Sequence, residues 1–86
     1  MRELEKCLKA LANRRRLAIL KYLQKKKEAS VAAISEEIEL SFRSTSKHLQ
    51  ILASLDILER EQRSLQMFYY LAAKQKPAVR HTLSLL

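Results

Sequence analysis

The 86 residues suffice for one small domain, and their composition excludes several classes of protein. Gly is absent and Pro occurs once, which argues against collagen-like and all-β folds and favours helices. The 17 Lys and Arg residues outnumber the 9 Asp and Glu residues, and the net charge of +8 predicts a polyanionic partner, with nucleic acid ahead of a membrane.

Two helices are predicted at the start of the chain, over residues 2–11 and 14–26. In the first, apolar side chains recur at helical spacing, and Cys7 lies among them, so we assign it a packing role. As the one cysteine it cannot form an intramolecular disulfide. No apolar stretch approaches the roughly 20 residues of a membrane span, and we expect a cytoplasmic protein. Asn13 is a good N-cap for the second helix.

The middle of the chain predicts a helix-turn-helix. Ser30 and Ser41 are suitable N-caps for helices over residues 31–39 and 42–54, which leaves about three residues between the two helices. Phe42 is expected to pin the turn to the core.

The second of these helices, over residues 43–54, has the pattern of a recognition helix. Thr45, Leu49 and Leu52 fall on one line, and polar side chains lie on the opposite side, where they can enter a DNA major groove. His48 points towards the apolar side, which favours a packed, hydrogen-bonded residue, with a phosphate contact as the alternative. The expected DNA contacts are Ser41, Arg43, Ser44, Ser46, Lys47, His48 and Gln50.

A β-hairpin and a final helix complete the chain. The pattern predicts strands over residues 57–61 and 66–71 and a wing over residues 60–66. Its predicted tip, which we expect to touch a phosphate or the minor groove, consists of Gln62, Arg63 and Ser64. The last helix covers residues 77–86 and begins at Pro77. The apolar side chains expected in a dimer interface are Leu4, Leu8, Leu11, Val79, Leu83 and Leu86.

Two segments resemble the ArsR/SmtB-type (arsenic-repressor-like) transcriptional regulators. The run Leu8-Lys9-Ala10-Leu11-Ala12-Asn13 with Arg16-Leu17-Ala18-Ile19-Leu20 resembles that family's opening pattern, L-K-A-L-A-D-P-x-R-L-x-I-L. Ser41 with Ser46-Lys47-His48-Leu49-Gln50-Ile51-Leu52 resembles its recognition helix, S-x-x-x-x-S-x-H-L-x-x-L, and Tyr70-Leu71 resembles the close of its second wing strand. The resemblance implies a mainly α fold with a small β-hairpin, a single winged helix-turn-helix DNA-binding domain over residues 1–86.

The chain departs from the family pattern at several places. Asp56 replaces the glycine that usually follows the recognition helix, so we expect a left-handed backbone there. Members that sense metal in the third helix carry C-x-C where this chain has Ser30-Val31-Ala32, and the last-helix metal site would have only His81. We therefore expect no metal and no cofactor. The inducer stays open among a small molecule, oxidation of Cys7, a partner protein, or none.

The residues do not predict an enzyme. The chain has no Gly-rich phosphate loop, no Ser-His-Asp or Cys-His arrangement, and no cluster of metal ligands. The first hypothesis is a homodimeric repressor that binds a palindromic operator in double-stranded DNA. The alternative is a winged-helix protein-interaction module without sequence-specific DNA binding, and membrane binding ranks third.

Overall fold

The computed structural model describes residues 1–86, and it confirms the five predicted helices and the two wing strands in the predicted order. A third, short strand precedes the helix-turn-helix. In chain order the elements are α1 (Arg2–Leu11), α2 (Arg14–Lys26), β1 (Glu28–Ser30), α3 (Val31–Glu37), α4 (Phe42–Ser54), β2 (Leu58–Arg63), β3 (Gln66–Leu71) and α5 (Pro77–Ser84).

Three predicted elements have different boundaries in the structure. α3 ends at Glu37 and not at residue 39, because Glu39 takes a positive φ of 54°, which a right-handed helix does not accept. α5 ends at Ser84, two residues early. β2 begins at Leu58, one residue late, and runs on to Arg63, which pairs with Gln66 of β3. The prediction of Gln62 and Arg63 at the tip is therefore wrong, because both are paired with β3, and the turn consists of residues 64 and 65.

Side-chain caps explain why the helices begin where they do. Asn13, Ser30 and Ser41 each accept a hydrogen bond of 3.1 Å from the backbone N–H three residues later. Each cap satisfies a backbone donor that the first helical turn leaves free. After α4 the chain reverses at Asp56, whose φ of 61° confirms the left-handed conformation expected there. These local signals fix the short connections of the helix-turn-helix.

The core lies between the helices and the sheet, and one side of α4 is buried in it. Thr45, Leu49 and Leu52 are fully buried, as their spacing predicted. Cys7 of α1 is also buried, which confirms its packing role. Because these positions face inwards, the opposite side of α4 is left to solvent.

Three side chains take positions other than those expected. Phe42 is 60% exposed, because the first residue of α4 lies beyond the edge of the core, and it does not pin the turn. Leu11 and Val79, which were expected in a dimer interface, belong to the core of the protomer. Removing residues 79–86 would therefore damage the fold as well as any interface.

The three strands form an antiparallel sheet in the order β1-β3-β2. Tyr69 of β3 is buried against the helices, and Arg60 of β2 is its partner in the register, so both side chains lie on the inner face of the sheet. Successive side chains alternate between faces. Arg63 and Phe68 consequently lie on the outer face, directed away from α4.

An ion pair connects the two edge strands across the outer face of this sheet. The Arg63 guanidinium donates to both carboxylate oxygens of Glu28, at 2.6 and 2.8 Å, and to Glu61 at 3.0 Å. It also lies over the Phe68 ring, 4.6 Å from its centroid. The hydrogen bonds from Arg63 hold the pKa of Glu28 below its ordinary value. Because Glu28 is in β1 and Arg63 is in β2, this contact holds the wing against the rest of the domain.

We expect Arg63→Gln to raise the pKa of Glu28 towards its ordinary value of 4.5. The depressed pKa means that the pair stabilises the folded wing above about pH 4.5, and that this contribution is lost as the pH falls through the folded-state pKa. An NMR titration of the Glu28 carboxylate measures the shift. Arg60→Gln, on the opposite face of the same strand, is the control and should leave it unchanged. An unmoved pKa in the Arg63 variant would contradict the pairing.

Thr45→Val should raise the free energy of unfolding by about 1 kcal/mol. The Thr45 hydroxyl is fully buried without a hydrogen-bond partner, and valine has the same shape without the unpaired polar atom. Urea unfolding at a fixed protein concentration measures the change. Thr82→Val is the control, since the Thr82 hydroxyl donates to the Ala78 carbonyl at 2.8 Å and its loss should give no gain. A less stable Thr45 variant would show that the hydroxyl has a partner in solution.

Candidate nucleic-acid interface

The outer side of α4 presents a row of exposed polar side chains. Arg43, Lys47 and Gln50 are all exposed, and neither cation forms a salt bridge. Ser46 lies beside them, half-buried, and accepts a hydrogen bond of 3.3 Å from the Gln50 amide. This contact holds the Gln50 side chain along the helix and leaves its carbonyl oxygen free. The structure thus brings together four of the predicted contacts on one face.

The start of α4 supplies two further hydroxyl groups. The oxygen of Ser41, as the N-cap, accepts from the Ser44 backbone N–H, and its own hydrogen remains available as a donor. Ser44 is half-buried in the first turn. Hydroxyls in such positions can donate to phosphate oxygens beside a groove.

The His48 ring forms a hydrogen bond with an arginine of α2. Its Nδ1 lies 3.3 Å from a guanidinium nitrogen of Arg16, and because arginine only donates, Nδ1 must be the acceptor. The pKa of His48 is lowered, first by burial and then by the charges of Arg16 and Arg15. The neutral ring therefore carries its hydrogen on Nε2. This geometry supports the packed, hydrogen-bonded role, and it leaves one N–H donor on the ring.

Arg16 also connects α4 to the first helix. Its Nε donates to the Ala10 carbonyl at 2.6 Å, close to the end of α1. One half-buried guanidinium thus joins α1, α2 and α4, and it fixes the recognition helix relative to the N-terminal pair.

The wing and α4 enclose an open cleft of about 660 Å³. Arg60, on the inner face of β2, lines this cleft opposite Gln50 and Ser54 of α4. Asp56, where the chain reverses after α4, lines it as well. Gln62, two residues beyond Arg60, has its side chain on the same inner face. Its amide donates to the Ser64 carbonyl at 3.1 Å. One cation, Arg60, and two carboxylates, Asp56 and Glu59, line the cleft, so a phosphate can approach only on the Arg60 side.

The predicted wing contacts are separated by the sheet. Gln62 lies on the inner face, but Arg63 lies on the outer face and its guanidinium is occupied by two carboxylates. Ser64 is exposed in the turn with a φ of 57°. The turn places Leu65 at the tip, 96% exposed.

The predicted dimer residues also divide into two groups. Leu4 and Leu8 of α1 are exposed and line a shallow apolar surface together with Met1. At the other end of the chain, Leu83 is partly buried against the core, and Leu86 is 36% exposed. α1 and α5 lie against each other.

Sequence reasoning missed three residues of this surface: Phe42, Arg60 and Leu65. Strand alternation could have found Arg60, since it lies two residues after the buried Leu58 and shares its face. The exposure of Phe42 and Leu65 depends on where the core ends and where the turn falls, and no local signal gives either.

Two other kinds of site are not found in the structure. No group of three or more His, Cys, Asp or Glu side chains is placed to hold a metal ion. None of the helices combines the length and apolar character needed to cross a membrane.

Comparisons with known proteins agree with this geometry. The family model described as a helix-turn-helix domain matches residues 11–61, which is more than half of the chain. A search of curated proteins found no match.

Several solved structures are similar over nearly the whole chain. HlyU from Vibrio cholerae is 32% identical, with a TM-score of 0.81, and the match covers 96% of this chain and 86% of that protein. Mb0332 from Mycobacterium bovis, described as a homodimeric winged helix-turn-helix DNA-binding domain and a possible ArsR-family regulator, is 30% identical, with a TM-score of 0.80 and coverage of 96% and 73%.

The transcriptional repressor PagR of Bacillus anthracis is 26% identical, with a TM-score of 0.78 and coverage of 98% and 92%. The family match, the whole-chain similarity and the exposed recognition helix lead to one conclusion. The chain belongs to the helix-turn-helix domain family, as a winged-helix transcriptional regulator of the ArsR/SmtB type.

Proposed function

We propose that this protein binds double-stranded DNA as a homodimer and represses transcription from a palindromic operator. One observation carries the proposal: the solvent side of α4 presents Arg43, Lys47 and Gln50, exposed and free of carboxylate partners. A helix with this face fits the major groove, where cations and amides hydrogen-bond base edges. PagR is described as a repressor, and Mb0332 as a homodimeric DNA-binding domain, which supports the same activity and assembly here.

The contacts divide by their chemistry. Lys47 and Gln50 lie on the outer face and are assigned to base edges, with Arg43 at the entry of the groove. Arg60 of the wing and the hydroxyls of Ser41 and Ser44 are assigned to phosphates. His48 reaches a phosphate through its Nε2–H, and Ser46 positions the Gln50 amide. In this assignment Gln62 and Ser64 approach the DNA from the wing, while Arg63 does not contact it.

A second copy of the chain completes the binding unit. A single winged helix buries little surface on DNA, and two copies related by a two-fold axis match two half-sites of an operator. We assign the dimer surface to the exposed apolar residues of α1, Leu4 and Leu8, with the end of α5 at Leu83 and Leu86. Exposed apolar patches of this kind commonly mark interfaces.

The alternative, a protein-interaction module, is less well supported. A winged helix that binds protein in place of DNA would have an apolar or acidic outer face on α4, whereas this face is cationic and polar. We likewise infer a binding protein and not an enzyme, since the family consists of transcriptional regulators. Its place is the cytoplasm, with the DNA it binds.

Replacing Lys47 or Gln50 with Ala should weaken binding to the selected operator by roughly 1–3 kcal/mol and weaken binding to random DNA much less. The reason is that a base contact is lost on one sequence only. Fluorescence anisotropy with both DNAs, at one stated salt concentration, measures the difference. Lys25→Ala, an exposed cation on α2, is the control and should reduce both affinities little. Equal losses on both DNAs would assign that residue to phosphate, and no loss on either would contradict the role of α4.

The double change Leu4→Ser with Leu8→Ser should convert the dimer to a monomer. Both side chains are nearly half exposed in the protomer, so the fold should survive, with an unchanged circular dichroism spectrum. Sedimentation measures the mass. Leu65→Ser removes an equally apolar exposed side chain at the wing tip, and that control should remain dimeric. A double variant that remains dimeric would place the interface elsewhere.

A further inference from the structure

The tip of the wing exposes an apolar side chain where a charged one was expected. Because Arg63 still pairs with Gln66, the hairpin turn has only two residues, Ser64 and Leu65. Ser64 takes the positive φ that a two-residue hairpin turn commonly requires, and Leu65 is then 96% exposed. No part of the protomer covers it.

The tip also has no free cation. Arg63, the nearest one, donates to Glu28 and Glu61 and lies over Phe68 on the outer face. The remaining residues at the tip, from 62 to 66, are neutral. The tip itself therefore offers no free charge to a groove. Arg60, the unpaired cation of β2, lies further back on the inner face, and the most exposed apolar group at the tip is the Leu65 side chain.

Leu65 belongs to the same surface as the recognition helix. Together with the exposed Phe42 at the start of α4, it lines a small hollow of about 70 Å³ whose floor includes Ala32 and Met67. Leu65 and Phe42 thus form one exposed apolar edge beside the first turn of α4.

We propose that Leu65 inserts into the minor groove of the operator as an apolar wedge, next to the major-groove contact of α4. The proposal rests on the DNA-binding function above and adds the means by which the wing contributes. Apolar side chains that enter the minor groove partly unstack a base step and bend the duplex. Pyrimidine–purine steps unstack most readily, so the site under the wing should prefer TA or CA/TG over a stiff A-tract.

The test compares wild type with Leu65→Ser on an end-labelled operator, with energy transfer between the ends reporting the bend at saturating protein. The variant should bend the DNA less and bind roughly tenfold more weakly, because it no longer buries a leucine. The dependence of affinity on salt should not change, since no charge is removed. Gln66→Ser, the neighbouring exposed residue, is the control and should bend DNA like wild type.

A second comparison uses the DNA. Replacing the flexible step under the wing with an A-tract step should weaken wild type more than Leu65→Ser. If wild type binds the operator and Leu65→Ser binds and bends it equally well, the wedge is overturned while the DNA-binding function stands. If wild type selects no DNA sequence at all, the proposed function itself fails and the wedge fails with it.

Discussion

The burial of one side of α4 fixes the position of every candidate DNA contact on that helix. Thr45, Leu49 and Leu52 have no exposed surface, so α4 cannot rotate about its axis without removing them from the core. Truncation of a buried leucine costs about 2–5 kcal/mol, against the 5–15 kcal/mol that typically holds a domain together. The orientation of Lys47 and Gln50 towards solvent is therefore set by residues that never touch DNA.

Hydrogen bonds from Arg16 also hold α4 in place, in addition to the burial of its apolar side. Arg16 joins Ala10 of α1 to His48 of α4, and burial together with the nearby arginine charges keeps the imidazole neutral. Because α1 carries the proposed dimer surface, the same guanidinium connects that surface to the recognition helix. The separation between two recognition helices in a dimer depends on how rigidly α1 and α4 are held, and Arg16 is placed to hold them.

Most of the fold could be predicted because its signals are local. The caps at Asn13, Ser30 and Ser41 and the left-handed turn at Asp56 act within a few residues, and the structure confirms each of them. The buried stripe of α4 follows from helical periodicity alone. Such features need no knowledge of the neighbouring elements.

The errors arise where distant parts of the chain meet. The orientation and partners of Arg63 depend on strand register and on Glu28, 35 residues earlier, and neither can be read near the turn. In α1 the apolar residues share one broad face, and packing against α2 and α5 decides that Leu11 is inside while Leu4 and Leu8 are outside. The DNA-contact and dimer assignments accordingly stay predictions, although the surfaces on which they lie are now defined.

Because Arg63 is paired with Glu28 and Glu61, the unpaired cations of the candidate DNA surface lie away from its apolar tip. The free cations lie on α4 and on the inner face of β2, where they can attract phosphates and read bases, while the tip of the wing is neutral. A cation at the tip would strengthen binding to every sequence alike, because phosphates carry no sequence information. In the proposed complex, a leucine at the tip would gain energy only where the duplex can open to receive it. In the proposed complex, the pairing of Arg63 with Glu28 and Glu61 would therefore favour selectivity over general affinity.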